Sequence, residues 1–550
     1  MVENNRWPHA HSIDEKYGKR IAYFSMEFAV HQALKTYSGG LGFLAGSHMR
    51  SAYDLHQNMI GIGILWKFGY YNQGLNNDQT MRVEFQKKFY TYLEDCGITV
   101  TVHVNKHPVH VKAMLLRPDV FGTVPMYFLT TDLPENDHLA RTITHMLYDK
   151  EASTRIAQSI VLGIGGAKVV DALGGADIYH LNEGHGLPVA FHLYDKFRDV
   201  NEVRKHMAFT THTPEKAGNE EHEIHFLDRM GFFNDVPLEE TRNITGMNGH
   251  MFDHTLAALR LSKVSNGVSQ LHGEVARQMW YGNEGVCEIK AITNAQNVPY
   301  WRDKALYHAL ETDDNAALAQ RKREMKHPLF ETVADQTGKL FNPDVLTIVW
   351  ARRFAAYKRA DLLLRDIEQF FELINRKEQP IQVIWAGKPY PFDAGAVHIF
   401  NSLLKLSYRQ KNFAVLTGYE LDLSRKLKQG ADIWLNTPRR PREASGTSGM
   451  TAAMNGAINF SVQDGWIPEF ARHGENSFIL PVVDTMLPSE VQDEQDYHNM
   501  MRILENEIIP AYYLDREKWL RITKQSMRDV VPHFSSDRMA HEYYEQIYNY

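Results

Sequence analysis

Residues 177–185 read DIYHLNEGH, a short apolar run that ends in the polar residues Asn182, Glu183 and His185. Similar runs recur along the chain, each ending in Gly, Asn or His before a stretch with helical periodicity. This alternation is typical of parallel strands that are joined by crossover helices. The sequence therefore predicts an α/β fold.

The apolar runs fall into two sets. The first set lies at residues 21–24, 59–65, 124–129, 177–181 and 207–211. The second set lies at residues 289–293, 346–350, 381–385, 413–416, 433–435 and 457–462. Two such sets predict two sheets that face a central cleft. We expect the functional site in that cleft, because open parallel sheets bind ligands beyond the carboxyl ends of their strands.

The domain boundaries follow from these two sets. We predict an N-terminal domain over residues 1–290, a second domain over residues 291–525, and a C-terminal helix over residues 526–550 that crosses back to the first domain. An alternating stretch at residues 98–104 indicates a β-hairpin insertion in the first domain. A chain of 550 residues with 43% hydrophobic residues is long enough to fill both cores.

The composition argues against several classes of function. A net charge of -7 is unfavourable for an electrostatic nucleic-acid binder, so any anion site has to be local. The two cysteines, Cys96 and Cys287, are too few for a disulfide framework or a thiolate zinc site. The N-terminus has no apolar signal core, and no apolar run approaches the roughly 20 residues of a membrane helix. We expect a cytoplasmic protein that binds neither nucleic acid nor membranes.

Two segments of the first half carry candidate binding groups. Ser38-Gly39-Gly40-Leu41-Gly42 follows a predicted strand and opens a helical pattern, so its backbone can approach a phosphate, although a simple turn is the alternative. Asn182, Glu183 and His185 follow one strand and His212 follows the next predicted strand, so we expect them in one cleft. The alternative is that these groups cap helices or satisfy buried backbone.

Zinc is a weaker interpretation of the same histidines. His180 and His185 lie at the end of one predicted strand and His212 at the end of another, without a carboxylate at helical spacing. We therefore predict no metal site.

Two segments of the second half are basic. Residues 352–359 read RRFAAYKR, in which Arg353 and Lys358 form a donor set for a phosphate leaving group. The alternative is a solvated helix start, but the helix dipole disfavours cations at that position. Residues 436–451 read NTPRRPREASGTSGMT, in which small residues after Glu443 leave a helix N-terminus open to an anion. Glu443 itself is suited to hydrogen-bonding sugar hydroxyls.

These segments resemble the α-glucan phosphorylases, the family of the glycogen, starch and maltodextrin enzymes. The similar pieces occur in the family's order at residues 23–28, 38–42, 180–185, 211–214, 266–275, 353 with 358, 443–447 and 534–539. The resemblance implies two Rossmann-like domains of the GT-B glycosyltransferase type. It also implies retaining transfer of glucose between an α-1,4-glucan end and phosphate, with pyridoxal phosphate as the cofactor.

The resemblance also implies roles for individual residues. His212 would line the donor glucose, with its backbone carbonyl supporting an oxocarbenium-like transition state, while Arg353 and Lys358 would bind the substrate phosphate. Glu443 completes the predicted catalytic set. The remaining residues that the resemblance places near sugar or phosphate are Gly39, Gly40, Asn182, Glu183, His185, Asn294, Gly446, Thr447, Ser448, Glu475 and Asn476.

Thr451 departs from the family pattern, because it stands where the family keeps its cofactor lysine. A threonine hydroxyl cannot form a Schiff base, and Lys358 and Lys388 belong to other motifs. We therefore expect no covalent pyridoxal phosphate. The cofactor is either bound noncovalently or replaced by a nucleotide-sugar donor, since glycogen and starch synthases share the two-domain fold and use an Arg and Lys pair at the same spacing.

Three functions stay open at this point. The first is phosphorolysis of a glucan, with phosphate and glucose 1-phosphate as small substrates. The second is glucosyl transfer from a nucleotide sugar, and the third is a non-catalytic glucan-binding relative. Glycoside hydrolysis is disfavoured, because nothing in the sequence places two opposed carboxylates at the required separation. The sequence leaves the oligomeric state open.

Overall fold

A computed structural model describes residues 7–549, which form two compact units. Unit 1 comprises residues 7–71, 85–297 and 536–549, and unit 2 comprises residues 72–84 and 298–535. Within residues 7–549 no helix combines the length and the apolar character needed to cross a membrane.

The strands, in chain order, are β1 Ile21–Phe24, β2 Met59–Ile64, β3 Asn72–Leu75, β4 Met81–Glu84, β5 Glu94–Val104, β6 His107–Leu116, β7 Met126–Thr130, β8 Ile178–Asn182, β9 Met207–Thr210, β10 Glu221–Glu223, β11 Met251–Asp253, β12 Val264–Gly267, β13 Glu288–Ala291, β14 Leu346–Ala351, β15 Ile381–Ala386, β16 Phe413–Leu416, β17 Ile433–Asn436, β18 Ile458–Ser461 and β19 Ser477–Ile479.

The α-helices are α1 Gly40–Asp54, α2 Pro118–Phe121, α3 His138–Thr142, α4 Ala152–Ile160, α5 Gly166–Ala172, α6 Pro188–Phe197, α7 Val200–Lys205, α8 Ile224–Met230, α9 Leu238–Thr245, α10 His254–Leu261, α11 Gln270–Met279, α12 Val298–Trp301, α13 Lys304–Glu311, α14 Asn315–Thr337, α15 Ile367–Ile374, α16 Ala394–Ser407, α17 Leu421–Gly430, α18 Ser448–Ala453, α19 Ile467–Phe470, α20 Ser489–Ile503, α21 Ile509–Tyr513, α22 Arg516–Phe534 and α23 Ser536–Tyr543.

Unit 1 is built on a nine-stranded sheet in the order β13-β12-β9-β8-β1-β2-β7-β6-β5. Its strands are parallel except for the edge hairpin β5–β6, which extends the sheet beyond β7 in antiparallel fashion. This hairpin contains the alternating stretch at residues 98–104. The β-strands β1 and β2 are fully buried, as expected for strands covered on both faces.

One strand assignment from the sequence is wrong. Residues 289–293 were expected to open the second sheet, but β13 pairs in parallel with β12 at the edge of the first sheet, with Ile289 opposite Ser265. The physical reason is that an apolar run indicates that a strand is buried, but it does not indicate which of the two sheets contains that strand. Unit 1 accordingly continues to Asn297.

Unit 2 is built on a six-stranded, fully parallel sheet in the order β16-β15-β14-β17-β18-β19. Every residue of the central strands β14 and β15 is buried, and their side chains join two apolar clusters that include Trp350 and Val349. The parallel sheets and the helices that follow their strands confirm the α/β fold class. The predicted central cleft stays a prediction.

The chain returns to unit 1 after Ser535. There α23 packs against α1, with the hydroxyls of Ser51 and Ser536 2.5 Å apart. The ring nitrogens of His180 lie 2.6 Å from the hydroxyl of Tyr548 and 2.7 Å from that of Thr210. His180 therefore ties the C-terminal segment to strands β8 and β9.

Candidate active site

In unit 1, Asn182, Glu183, His185 and His212 form the Asn182 cluster at the carboxyl ends of the neighbouring strands β8 and β9. Nε2 of His212 lies 2.7 Å from Oδ1 of Asn182, and the Asn182 amide donates to the hydroxyl of Ser25 at 3.2 Å. Since an amide oxygen only accepts, the His212 proton resides on Nε2 in this arrangement. The contact fixes both the tautomer and the orientation of the ring.

Glu183 holds the loop that carries His212. Its Oε2 accepts from the His212 backbone N–H at 2.8 Å, and its Oε1 accepts from the Gly184 N–H at 3.1 Å. Burial raises the pKa of Glu183 above its ordinary value, although these N–H donors and the charge of His185 oppose the effect. Glu183 also adopts φ +75, a strained conformation for a residue with a side chain, and such outliers concentrate at functional sites.

The histidines of the Asn182 cluster are suited to contacting a neutral ligand. Burial lowers the pKa of His212 to about 3, and the neighbouring His272 and His185 add to this lowering, so its imidazole is neutral near pH 7. Nδ1 of His185 is buried and has no hydrogen-bond partner within the described residues 7–549. This nitrogen is the kind of group that a sugar hydroxyl can satisfy.

The glycine segment before α1 already holds a carboxylate. The backbone N–H groups of Ser38 and Gly39 donate to Oε2 of Glu27 at 2.6 and 3.0 Å, and the hydroxyl of Tyr148 donates to its Oε1 at 2.5 Å. These two N–H groups are thus engaged, and Glu27 is a buried residue that the sequence analysis did not single out. A Cβ placed on Gly39 or Gly40 would meet no atom within 4 Å, so the space in front of the segment is open.

In unit 2, Arg352, Arg353, Lys358, Glu443 and Asp464 form the Glu443 cluster. Nζ of Lys358 donates to both oxygens of the Glu443 carboxylate at 2.9 and 2.8 Å, and the Arg352 guanidinium lies 3.5 Å from its Oε2. Burial by itself would raise the pKa of Glu443, but the charges of Lys358 and Arg352 outweigh it and hold the pKa below its ordinary value. Glu443 is therefore an anion bracketed by two buried cations.

Asp464 is a member of this cluster that the sequence analysis missed. Its carboxylate accepts from the backbone N–H of Glu443 and from that of Gly465, each at 2.9 Å. Burial, with the nearby charge of Glu443 adding to it, raises the pKa of Asp464 to about 7. A lone aspartate in the segment Val462–Gly465 carries no sequence signal for this role, because only the fold places it beneath residue 443.

Arg353 has a different environment from Arg352. The Arg353 side chain is exposed, whereas Arg352 is buried, as expected for consecutive residues that leave a strand on opposite sides. The positive charge of Arg353 still reaches Glu443, whose pKa it helps to lower. Of the two arginines, Arg353 is thus the one accessible to a ligand.

Close packing accounts for the small residues after Glu443. A Cβ at Gly449 would lie 2.4 Å from Oδ1 of Asn459, and Gly446 adopts φ +94. Thr447 directly precedes α18 and Ser448 is its first residue, so both lie where the loop after β17 meets this short helix. Their predicted phosphate contacts stay a prediction.

Thr451 lies inside α18 and is completely buried. Its hydroxyl donates to the carbonyl of Ser448 at 3.0 Å, and its own carbonyl accepts from the amide of Asn455 at 2.8 Å. The hydroxyl is therefore satisfied within the helix. A covalent pyridoxal phosphate does not fit at this position, because no amine is present to form the imine.

Three other predicted residues have contacts of their own. Glu475 is exposed and pairs with Arg472 at 2.8 Å, while the buried amide of Asn476 donates to the Phe470 carbonyl at 3.0 Å and accepts from the Arg472 N–H at 2.7 Å. Asn294 is buried in unit 1, and its Oδ1 has no partner among residues 7–549. Their predicted contacts with sugar or phosphate stay predictions.

Several known proteins are similar in sequence to this chain over most of its length. A family model described as carbohydrate phosphorylase matches residues 254–481. The chain is 32% identical to the maltodextrin phosphorylase of Thermococcus litoralis, over 97% of this chain and 71% of that protein. It is 30% identical to the glycogen phosphorylase of Aquifex aeolicus, over 98% of this chain and 87% of that protein.

A protein of Methanocaldococcus jannaschii, described as uncharacterized, is 47% identical over 96% of this chain and 100% of its own length. Together with the family model and the two named phosphorylases, this similarity confirms the relationship that the motifs indicated. The chain belongs to the carbohydrate phosphorylase family.

Proposed function

We propose that this protein transfers a glucosyl unit between the end of an α-1,4-glucan and orthophosphate, with retention of the α configuration. In the phosphorolytic direction the bond between C1 of the terminal glucose and the neighbouring O4 breaks. A phosphate oxygen bonds to C1, and the released O4 takes the proton that the phosphate gives up. The similarity to a maltodextrin phosphorylase and to a glycogen phosphorylase supports this reaction.

The observation that carries the proposal is the charge balance of the Glu443 cluster. Three cations, Arg352, Arg353 and Lys358, act on one carboxylate, Glu443. Asp464 is largely protonated below pH 7, so the cluster has an excess of positive charge there. A phosphate dianion is the ligand that such an excess favours, and Arg353 is the exposed group that would meet it first.

We assign the donor sugar to the Asn182 cluster. A neutral His212, whose Nε2–H is donated to Asn182, keeps Nδ1 as an acceptor for a sugar hydroxyl and does not compete for the proton that moves between phosphate and O4. The backbone carbonyl of His212 would support positive charge at C1 in the transition state. Catalysis of this kind stabilises charge and needs no protein nucleophile.

The second candidate is transfer from a nucleotide sugar, and Thr451 is the observation that favours it. The family resemblance implies a cofactor held by a lysine, and here the position has a buried hydroxyl bonded to Ser448. A nucleotide diphosphate could supply phosphate groups without a covalent anchor. No step of the proposed transfer is assigned to a cofactor.

The two candidates differ in what each reaction consumes. Purified protein is incubated with a maltooligosaccharide and orthophosphate, and separately with the same acceptor and a panel of nucleoside diphosphate glucoses. The proposal predicts glucose 1-phosphate in the first reaction and no nucleoside diphosphate in the second. Release of a nucleoside diphosphate without any requirement for orthophosphate would replace it with the second candidate. Thermal shifts with pyridoxal phosphate and with each nucleotide sugar identify which ligand stabilises the fold.

A further inference from the structure

A cavity of about 400 Å³ opens in unit 2, and its lining contains no residue of the Glu443 cluster. It is lined by the end of α12, the start of α13, Arg321 of α14, and Arg425 and Gln429 of α17. None of these lining residues belongs to the motifs from which the activity was inferred. The volume exceeds that of a phosphate ion and leaves room for an organic substituent.

Two guanidinium groups in this lining have unused donors. The Arg425 guanidinium lies 4.5 Å from the ring centroid of Tyr300 and donates to the Tyr300 carbonyl at 3.3 Å. The Arg302 guanidinium lies 5.2 Å from the ring centroid of Tyr307. Nε of each arginine is buried and has no hydrogen-bond partner within the described chain. A buried donor without an acceptor is costly, and a bound anion would satisfy it.

The charges around the cavity do not balance. The lining contains Arg302, Lys304, Arg321 and Arg425 against one carboxylate, Asp303. That carboxylate is already engaged, because both of its oxygens accept from Arg321, at 3.0 and 2.8 Å. Setting this pair aside leaves three cations in the wall.

A further amine lies beneath the wall. Nζ of the buried Lys428 is 3.9 Å from the ring centroid of Trp301, which itself lines the cavity. Burial, reinforced by the positive charge of Arg425, holds the pKa of Lys428 well below its ordinary value. The lowered pKa shows that a further cation beside Arg425 is unfavourable at this wall.

We propose that this cavity is a second anion site, which binds the phosphate group of a phosphate monoester through Arg302 and Arg425. Arginine recognises phosphate oxygens through paired N–H donors, and a phosphate bears the double charge that three uncompensated cations favour. The aromatic wall at Tyr300 offers an apolar surface for the organic part of the ester. Free inorganic phosphate shares the same chemistry and is the other source of the ligand.

The site is tested by titration calorimetry with inorganic phosphate and with phenyl phosphate. The titrations use the Arg353→Ala protein, which removes the exposed cation of the Glu443 cluster. We expect this protein to bind one phenyl phosphate per chain, more tightly than inorganic phosphate. Equal affinity for the two ligands would identify the site as one for the free ion, contradicting the monoester assignment. Absence of binding by both ligands would overturn the site itself.

The residue assignment is tested in the same background. Adding Arg302→Gln and Arg425→Gln should weaken phenyl phosphate binding about tenfold or more, because each change removes a charge-assisted hydrogen bond. Gln429→Glu removes no contact partner of the arginines and instead adds a negative charge to the lining, so it should weaken binding as well. Arg365→Gln, which alters an arginine paired with Glu494 elsewhere in unit 2, is the matched control and should leave binding unchanged. If phenyl phosphate binds with unchanged affinity after the two arginine substitutions and after Gln429→Glu, the residue assignment is wrong.

Discussion

Nζ of Lys358 donates to both oxygens of the Glu443 carboxylate, at 2.9 and 2.8 Å. The two residues are 85 positions apart, and they follow strands β14 and β17, which are neighbours in the sheet of unit 2. The carboxyl ends of adjacent parallel strands lie at one edge, so the fold brings Lys358 and Glu443 from two separate segments into one ion pair. This pair is the structural centre of the proposed phosphate site.

Lys358→Met should abolish transfer and destabilise unit 2. The change leaves Glu443 buried with only Arg352 as its ionic partner, and removal of one partner from a buried pair costs about 3 kcal/mol. Chemical denaturation measures the loss of stability, and turnover per folded molecule measures the loss of transfer. A Lys358→Met protein that folds and transfers glucose at the original rate would contradict the assigned role.

Lys326→Met is the matched control for that variant. Lys326 forms a buried pair with Asp432 at 2.5 Å, at the start of β17 rather than at its end, and this pair is somewhat less exposed than that of Lys358 and Glu443. We expect a comparable loss of stability with unchanged turnover per folded molecule. If both variants lost turnover in proportion to stability, Lys358 would be only a structural residue.

Arg353→Ala should lower transfer by about one to three orders of magnitude, because it removes a charge-assisted contact to the phosphate. The exposed Arg353 side chain makes a folding defect less of a concern than at Arg352. Steady-state kinetics at varied orthophosphate measure the effect. Arg365→Ala serves as the control for loss of an exposed cation, and unchanged kinetics in Arg353→Ala would refute the phosphate assignment.

Phosphate binding should weaken as pH rises through about 7, the pKa to which burial raises Asp464. Below this pH the carboxyl is neutral, and above it a second negative charge lies beside Glu443 and repels the incoming dianion. One negative charge added beside Glu443 lowers the affinity for phosphate about tenfold. The dissociation constant of phosphate is measured from pH 6 to pH 8.5.

Asp464→Asn separates this effect from the ionisation of phosphate itself, which also occurs near neutral pH. Asparagine keeps one acceptor oxygen and does not ionise. The ratio of the wild-type to the variant dissociation constant should therefore increase with pH. A ratio that stays constant across the range would exclude Asp464 as the titrating group.

Pyridoxal phosphate should leave no covalent adduct at Thr451. Borohydride reduction of the protein after incubation with the cofactor, followed by peptide mass mapping, detects any imine as a stable mass increase. Thr451→Lys introduces the missing amine and should gain an adduct at residue 451, although overpacking of this buried position costs about 1 to 3 kcal/mol. A Thr451→Lys protein that folds but gains no adduct would show that the surroundings of residue 451 do not hold the cofactor.

The strands could be predicted where an apolar run is short and bounded by polar residues. β1 and β16 coincide with the predicted runs at residues 21–24 and 413–416. β12 was missed because its buried side chains include Ser265 and Asn266, which carry no hydrophobic signal. β19 was missed because three residues are too few to show a period.

The candidate site could likewise be predicted only in part from the sequence. Glu443 and Lys358 belong to recognisable motifs, and so does His212. Glu27 lies in the segment 23–28 that resembles the family, but its contact with the N–H of Ser38 depends on the fold, as does the contact of Asp464 with the N–H of Glu443. No local pattern marks Asp464. Likewise, the sequence shows two consecutive arginines at 352 and 353, and only the fold decides which one is buried.

The most direct test of the proposed function is the dependence of product formation on orthophosphate. Purified protein is supplied with a maltooligosaccharide at saturating concentration, and glucose 1-phosphate is quantified as orthophosphate is varied from zero. Phosphorolysis requires that no product forms without phosphate, that product formation rises to saturation with phosphate, and that this rise is strongly reduced in Arg353→Ala. If folded protein that still binds the glucan forms no glucose 1-phosphate at any phosphate concentration, the proposed phosphorolysis is wrong.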